Sequence, residues 1–364
     1  MKIRILHTEA SSGWGGQEMR VLREAIGMRL RGYDVELAVI SGGKLIEKAR
    51  AEGFVVHEIP FKGSRIKNIM QLSRLFKKEQ YHIVNTHSSK DAWLAGIAAR
   101  VSGARVIRTR HISSNIRTGL NSKIVYNHLA DQVVTTCQET ADTICLQADL
   151  TENRCCSIPT GVDPSVLQVS QEDVKKFRDQ WGIKDDDCLI GTACVLRSWK
   201  GISDFLQAAK KLQDHTHLKW MIVGNEASEG RFQKECRELG LENSVIFTGY
   251  LTPPYTAIAS FDIFVLLSTA SEGVSQASLQ AAYLEKPLVT TPVGGLKEVC
   301  INNQTGILVS PASPYEVANA VMDLAVDKSK RIKFGKNAKS LVEDKFTFNK
   351  TLDQMEAIYK KLLT

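Results

Sequence analysis

Residues 262–291 read DIFVLLSTASEGVSQASLQAAYLEKPLVTT. An apolar run of strand type, DIFVLLS, breaks at a polar turn, a helical stretch follows, and a second strand-like run, PLVTT, closes the unit. Strand, helix and strand in that order form the building block of a parallel sheet, and runs this uniformly apolar have no face turned to water. The rest of the chain keeps the rhythm. KIRILHT (2–8), DVELAVIS (34–41), FVVHEIP (54–60), HIVNTH (82–87), RVIRTRH (105–111) and QVVTT (132–136) read as strands of a first half. CLIGTACV (188–195), LKWMIVG (218–224), SVIFTGY (244–250), DIFVLLS, PLVTT and GILVS (306–310) read as strands of a second. Helical patterns separate most of them. SIPTGVDPSVLQVS (157–170), with two prolines and a glycine, reads as the crossing between domains. The expected fold is therefore α/β, two doubly wound Rossmann-like domains facing each other across a cleft. Residues 1–164 form the first and 165–345 the second, with a C-terminal helix, 346–364, joined to the first.

A chain of 364 residues is long for one core and agrees with two. No apolar run approaches the roughly 20 residues that span a bilayer. The eight cysteines form no C-x-x-C pair and no zinc spacing. MKIRILHTEA carries no signal-peptide pattern, which points to reduced thiols in a cytoplasmic setting. The charge is uneven. Residues 1–160 hold 23 Lys and Arg against 15 Asp and Glu, and 161–364 hold 24 against 25. Within 61–123 there are 13 basic and 2 acidic residues. An imbalance confined to one half implies an acidic partner met there: a phospholipid surface, a phosphorylated glycolipid or nucleic acid. Nucleic acid has no motif behind it. The helix of 64–79 is expected to turn Ile66, Ile69, Met70 and Phe76 toward one face and its cations elsewhere, either as a core helix with a solvated basic face or as a dock for anionic lipid.

Ligands of doubly wound sheets bind outside the carboxyl ends of the strands, so the strand ends carry the functional reading. TEASSGWGGQE (8–18) puts a glycine-rich turn, Gly13, Gly15 and Gly16, between strand and helix, where backbone N–H groups meet anions. It is neither G-x-G-x-x-G nor a Walker loop. A plain tight turn explains it equally well. Trp14 within it either stacks on an acceptor ring or anchors the loop, and His87 at the end of VNTH is either a site histidine or a structural one. LRSWKG (196–201) places Arg197 and Lys200 at another strand end, as fork and point charge for a phosphate. IVGNEASEG ends a further strand at Gly224 and otherwise reads as a loop. SEGVSQASLQ (271–280) aims the first N–H groups of a helix, Val274 to Gln276, at an anion, with Glu272 and Gly273 just before and Gln280 along the helix. A carboxylate beside an anion site makes sense if the ligand has hydroxyls next to its phosphates. That is the outline of a nucleotide-sugar.

On these residues the chain resembles the family 4 retaining glycosyltransferases of the GT-B fold. The resemblance covers nearly the whole chain and rests on GGQE, TRH (109–111), IPTGVD (158–163), KG (200–201), SEGVSQASLQAAYLEKPLVTTPVGGLKEV (271–299) and TGILV. It implies that Gly15 and Gly16 close over the donor diphosphate and that His111 donates to a hydroxyl of the transferred sugar. It implies that Lys200 and an arginine neutralise the diphosphate and that Glu272 binds a sugar hydroxyl. The N–H groups of Val274, Ser275 and Gln276 would meet the distal phosphate, and residue 280 would hold the ribose. Two positions depart from the family pattern. Gln280 stands where the second glutamate is usual, and Arg197 lies three residues before Lys200 where the usual arginine lies five or six before.

The resemblance further implies transfer without a protein nucleophile and without metal or cofactor, from a UDP-sugar to a cell-surface glycolipid or polysaccharide such as lipopolysaccharide core. The enzyme would work in the cytoplasm, at the inner face of the membrane. Two other readings share these motifs: a protein that binds nucleotide-sugar without transfer, and an epimerase or phosphorylase of the same two-domain plan. Release of nucleoside diphosphate, and its dependence on a separate acceptor, tells them apart.

Overall fold

The computed structural model describes residues 2–114, 116–225 and 230–364. The chain divides into two compact units, Met1–Pro159 with Lys350–Thr364, and Thr160–Asn349. In the first unit the strands are β1 (Arg4–Glu9), β2 (Asp34–Ile40), β3 (Val56–Ile59), β4 (Ile83–Thr86), β5 (Arg105–Thr109), β6 (Gln132–Thr135) and β7 (Cys155–Ser157). They form one parallel sheet in the order β3-β2-β1-β4-β5-β6-β7. The sequence did not announce β7. Its three residues, two cysteines and a serine, are too short and too weakly β-forming to register as a strand, and β6 alone pins them.

In the second unit β8 (Cys188–Ala193), β9 (Leu218–Val223), β10 (Val245–Gly249), β11 (Ile263–Leu266), β12 (Leu288–Thr290) and β13 (Gly306–Leu308) form a parallel sheet in the order β10-β9-β8-β11-β12-β13. Each sheet reverses its winding direction once, between β1 and β4 and between β8 and β11. At such a switch point the loops leaving the two strands diverge and open a crevice at the carboxyl edge. The strands around it are buried apart from Arg4 at the start of β1, which is why they read as largely apolar runs.

Packing explains several small residues. A Cβ on Gly191 would lie 2.2 Å from the Phe261 ring, so glycine in β8 lets that ring lie flat on the sheet beside β11. Phe205 meets Trp220 edge to face, with centroids 4.9 Å apart. In the first unit Gly27 admits Leu352 of the C-terminal helix, Phe348–Leu363, whose Cδ1 would lie 2.5 Å from a Cβ at position 27. Tyr359 Oη donates to Glu24 Oε1 at 2.9 Å, and Arg31 pairs with Asp353 at 2.7 Å and Glu356 at 3.0 Å. These contacts hold the last helix on the first unit. The boundary falls at 159/160, a few residues ahead of the expected 164/165, because Gly161 and Val162 pair with the chain before that helix. Val162 N donates to Phe346 O at 2.9 Å and Phe348 N to Val162 O at 2.7 Å, and a Cβ on Gly161 would sit 2.2 Å from Thr347 O.

The helix Arg65–Glu79 corrects one expectation. Asn68, Leu72 and Phe76 form its buried face. Ile66 and Met70, expected on one face with Phe76 and apart from the cations, are 71 % and 48 % exposed among Lys67, Arg74, Lys77 and Lys78. All eight cysteines are free. Burial pushes the thiols of Cys188 and Cys236 up to about 12 and about 11, well away from thiolate chemistry.

Candidate functional site

The second unit gathers its polar groups at the β8/β11 switch point. After β8 the chain makes a 3₁₀ turn, Ser198–Lys200, and Gly201 ends it at φ +68°. A Cβ there would meet Leu267 O at 2.1 Å, so glycine brings the turn against the end of β11. Thr269 N, donating to Trp199 O at 2.8 Å, ties the same two strand ends. Lys200 therefore faces Glu272. Its Nζ donates to Glu272 Oε1 at 2.9 Å and Oε2 at 2.6 Å, and Ser268 Oγ donates to Oε2 at 2.7 Å. Both side chains of the pair are mostly buried. An ammonium has three donors, so Lys200 keeps one for a further acceptor.

The turn at Gly294 and Gly295 braces this carboxylate from behind. Gly295 N donates to Glu272 O at 3.1 Å, and Gly294, at φ +57°, would put a Cβ 1.8 Å from that oxygen. The helix Gln276–Tyr283 follows, capped by Ser275, whose Oγ accepts from Ser278 N at 3.4 Å. Its first N–H groups have no partner inside the helix and carry its positive end. Gly273 and Val274 lead into that turn. Gln276 donates its side-chain amide to Thr160 O, and Gln280 stands half-buried one turn on. Lys200, Glu272 and the helix start thus lie around one strand-end crevice, joined by Ser268, which the motifs did not single out.

Two further residues of the expected donor site have local partners of their own. Arg197 is exposed, stacks over the Trp199 ring at 5.1 Å, and makes no ion pair among the described residues. Gly224, at φ +140°, has its Cβ position 1.8 Å from Cys194 O, so the close approach of two strand ends accounts for this glycine by itself. Residues 226–229 of IVGNEASEG lie outside the described residues.

The first unit builds its polar cluster at the β1/β4 switch point and the adjoining end of β5. Gly15 caps the helix Gly16–Leu30 from an extended conformation, and its N–H donates to Glu18 Oε2 at 2.8 Å. Neither glycine is forced by its φ. A Cβ on Gly16 would meet nothing within 4 Å, and one on Gly15 only Glu18 at 3.6 Å. Lys48 Nζ lies 4.6 Å from the Trp14 ring, which anchors the loop.

Three histidines from three adjacent strands form a chain. His7 Nδ1 lies 2.9 Å from His87 Nε2, and His87 Nδ1 lies 3.0 Å from His111 Nε2. Burial lowers the pKa of all three, so they sit together as neutral imidazoles. In a neutral chain each ring passes one N–H to the next, so the tautomer of His111 is tied to that of His7, whose Nε2 has no hydrogen-bond partner. The Asp91 carboxylate sits beside them, accepting from Thr8 Oγ1, His87 N, Ser88 N and Ser88 Oγ at 2.6–2.8 Å. Sequence reasoning reached His111 and weighed His87, but left His7 and Asp91 unnoticed. The signal was there: three histidines stand at the ends of three runs, and strand order makes them neighbours.

Comparison with known proteins agrees with the fold and the motifs. The family described as Glycosyltransferase Family 4 matches residues 14–166, and Glycosyl transferases group 1 matches residues 173–341. The capsular polysaccharide biosynthesis glycosyltransferase CapM of Staphylococcus aureus is 24% identical, over 92% of this chain and 92% of its own length. Other curated relatives align over about half their length, 52% and 50% in two cases. The glycosyltransferase of Rickettsia africae ESF-5 superposes with a TM-score of 0.90 at 21% identity, over 100% of this chain and 99% of that one. Anabaena HepE, solved in complex with UDP, superposes with a TM-score of 0.87 at 21% identity, over 99% and 100%. The two matched families divide the chain near the boundary of its two sheets, and the chain belongs to the family 4 glycosyltransferases of the GT-B fold.

Proposed function

We propose that this chain is a retaining glycosyltransferase that moves a sugar from a UDP-sugar to a glycolipid or polysaccharide of the cell surface, lipopolysaccharide core among them. The observation that carries the reading is the Lys200–Glu272–Ser268 group beside the start of the helix Gln276–Tyr283, a cation, a hydroxyl acceptor and N–H dipoles in one crevice. The donor class is supported by HepE, which binds UDP, and the acceptor class by CapM, which serves capsular polysaccharide. As the bond from the sugar's anomeric carbon to the diphosphate oxygen breaks, negative charge grows on the leaving phosphate. The free Lys200 donor and the helix N–H groups meet that charge without reorganising. The acceptor hydroxyl bonds to the anomeric carbon on the face the phosphate leaves, and its proton passes to the departing phosphate oxygen. Glu272 holds a sugar hydroxyl, and Gln280 accepts from the ribose. Arg197 reaches the diphosphate only by leaving Trp199, so Lys200 is the main counter-charge, and the step needs no metal or cofactor.

The protein works on the cytoplasmic side, resting on anionic lipid. The exposed Ile66 and Met70 among the cations of the helix Arg65–Glu79 support this, and no helix of the described residues is long and apolar enough to cross a membrane. A thermal-shift panel of nucleoside diphosphates and their sugars tests the donor site. At 100–1,000 times its Kd the right ligand stabilises by about 3–4 kcal/mol. UDP and one UDP-sugar should stand out, and Lys200→Ala should abolish the shift. A panel in which no nucleotide shifts the wild type, or in which Lys200→Ala responds like it, overturns the reading.

A further inference from the structure

Two neighbouring cavities of the first unit, of about 600 and about 740 Å³, share Ser89, Trp93 and Asn121 in their walls. Six cations line them: Lys62, Arg65, Lys90, Arg108, Arg110 and Arg117. Among the described residues no Asp or Glu lines either cavity, and none of the six cations makes an ion pair. Four of them are exposed, and water screens them. Arg108 and Arg110 differ, being only 3 % and 9 % exposed.

Among the described residues the hydrogen bonds of these two guanidinium groups all go to neutral oxygens. Arg108 Nη1 donates to Thr86 O at 3.1 Å and Thr109 O at 3.2 Å. Arg110 donates to Tyr126 Oη at 3.0 Å, Ser114 O at 2.5 Å and Ser114 Oγ at 3.4 Å. The Nε of each has no hydrogen-bond partner among the described residues. Asp91 acts on Arg108 through space, but its oxygens are taken by Thr8, His87 and Ser88. A guanidinium cannot shed its proton to escape burial, so a buried and unpaired one weakens the fold unless an anion joins it. Two such groups at one wall, with four more cations around it, point outward to a ligand.

The ligand's chemistry follows from the wall. Two planar forks match phosphate oxygens. Ser89, which lines both cavities, opens the helix Ser89–Ser102 and adds a hydroxyl to the wall. Trp93 offers a flat apolar face between the cavities, and Ile112 and Leu120 stand 58 % and 72 % exposed along one of them. We propose that the paired cavities are a subsite for the phosphate of the acceptor, a phosphate or diphosphate ester carrying a sugar or lipid. The inference rests on the transferase reading for the word acceptor. The anion site itself is tested without turnover.

Calorimetric titration of the full chain, with UDP saturating, reads this site apart from the donor's. The probes are inorganic pyrophosphate, glucose 1-phosphate and farnesyl diphosphate. At least one should bind, with affinity lowered tenfold or more in Arg110→Gln and in Arg108→Gln while the Kd for UDP stays as in wild type. Should either buried variant fail to fold, the exposed pair Lys90→Gln with Arg117→Gln carries the test, with a weakening of at least threefold expected. Binding by pyrophosphate and farnesyl diphosphate alike marks a site for phosphate of any source, and binding by farnesyl diphosphate alone a site for lipid-linked phosphate. Intact UDP binding with no response to any probe, or probe affinities equal in wild type and variants, overturns the inference and leaves the donor reading standing. Loss of UDP binding in the wild type strikes the donor reading instead.

Discussion

Replacing Glu272 tests the pairing at the centre of the second unit. At contacts of 2.6 and 2.9 Å the Lys200 ammonium and the carboxylate attract each other by about 6 kcal/mol at an effective dielectric constant near 20, before the dehydration of both is subtracted. Breaking a buried pair from one side typically costs about 3–5 kcal/mol, because the other charge is left alone. Here the side chains are 17 % and 9 % exposed, so water reaches the survivor and the lower end applies. Glu272→Ala should therefore lose about 3 kcal/mol of unfolding free energy, and Glu272→Gln, which keeps the shape and one acceptor, about 2 kcal/mol. Lys200→Met should lose a similar amount. The double variant Lys200→Met with Glu272→Gln should lose less than the sum of the two by about 1–2 kcal/mol, since no lone charge remains.

Activity should fall further than stability. Either Glu272 variant should reduce release of UDP from the donor in the presence of acceptor by about 100-fold or more, on the order of 3 kcal/mol in the transition state. Urea unfolding and a coupled UDP assay give both quantities on the same preparations. Additive stability losses in the double variant would mean that the two side chains do not depend on each other. A folded Glu272→Gln enzyme with wild-type turnover would remove the carboxylate from the sugar site.

Three further outcomes follow from other parts of the chain. Gly294→Ala places a methyl 1.8 Å from Glu272 O at φ +57°, and should cost about 2 kcal/mol or more while lowering turnover through the displaced carboxylate; equal thermal stability would count against the brace. Because burial lowers His7, His87 and His111, the folded state binds fewer protons than the unfolded one below about pH 6.5, and stability falls as pH drops through that point. His87→Gln removes one such group and should flatten the decline between pH 6.5 and 5 by about 1.4 kcal/mol per pH unit at most, with Glu9 and Asp91 common to both proteins; superimposable urea profiles would contradict the burial of a neutral His87. Sedimentation with vesicles should show binding to anionic but not neutral lipid, lost by about 0.5 M salt and weakened when Lys67, Arg74, Lys77 and Lys78 become glutamine; equal binding to both vesicle types would leave that helix face simply solvated.

The fold was legible because every central strand is buried on both sides, so its apolar run could be read without knowing its neighbours. What lay hidden depended on strand order. Residues 7, 87 and 111 are far apart in the chain, and only the sequence β1-β4-β5 across the sheet stacks their rings into hydrogen-bonding distance. Ser268 escaped notice for the same reason, since a strand-end serine gains meaning only from the carboxylate four residues on that folds back to it. Arg197, read beside Lys200 as half of a two-cation clamp, lies on Trp199 while the 3₁₀ turn carries the lysine inward. Ile66 and Met70 misled through periodicity, because a helix with an asparagine in its buried stripe offers no uniform apolar face to read.

The treatment of charge separates the two switch points more clearly than any motif. At β8/β11 the buried cation, Lys200, is already paired, so its site is electrically near balance and a donor must compete for one remaining ammonium hydrogen. Around β4 and β5 the buried cations, Arg108 and Arg110, form no ion pair among the described residues, and Asp91 offsets Arg108 only through space, so that site carries excess positive charge. A balanced site gains from an incoming phosphate at short range, through the remaining Lys200 ammonium hydrogen and the helix N–H groups, which salt weakens less. An unbalanced one gains from net charge, which salt screens. Raising salt from 0.05 to 0.5 M at fixed pH should therefore weaken pyrophosphate binding at the first unit by a larger factor than UDP binding at the second, measured by the same titration. Equal salt slopes for the two ligands would mean that the arginines of the first unit are neutralised in some other way, and the contrast between the two crevices would then have to be sought in their shapes.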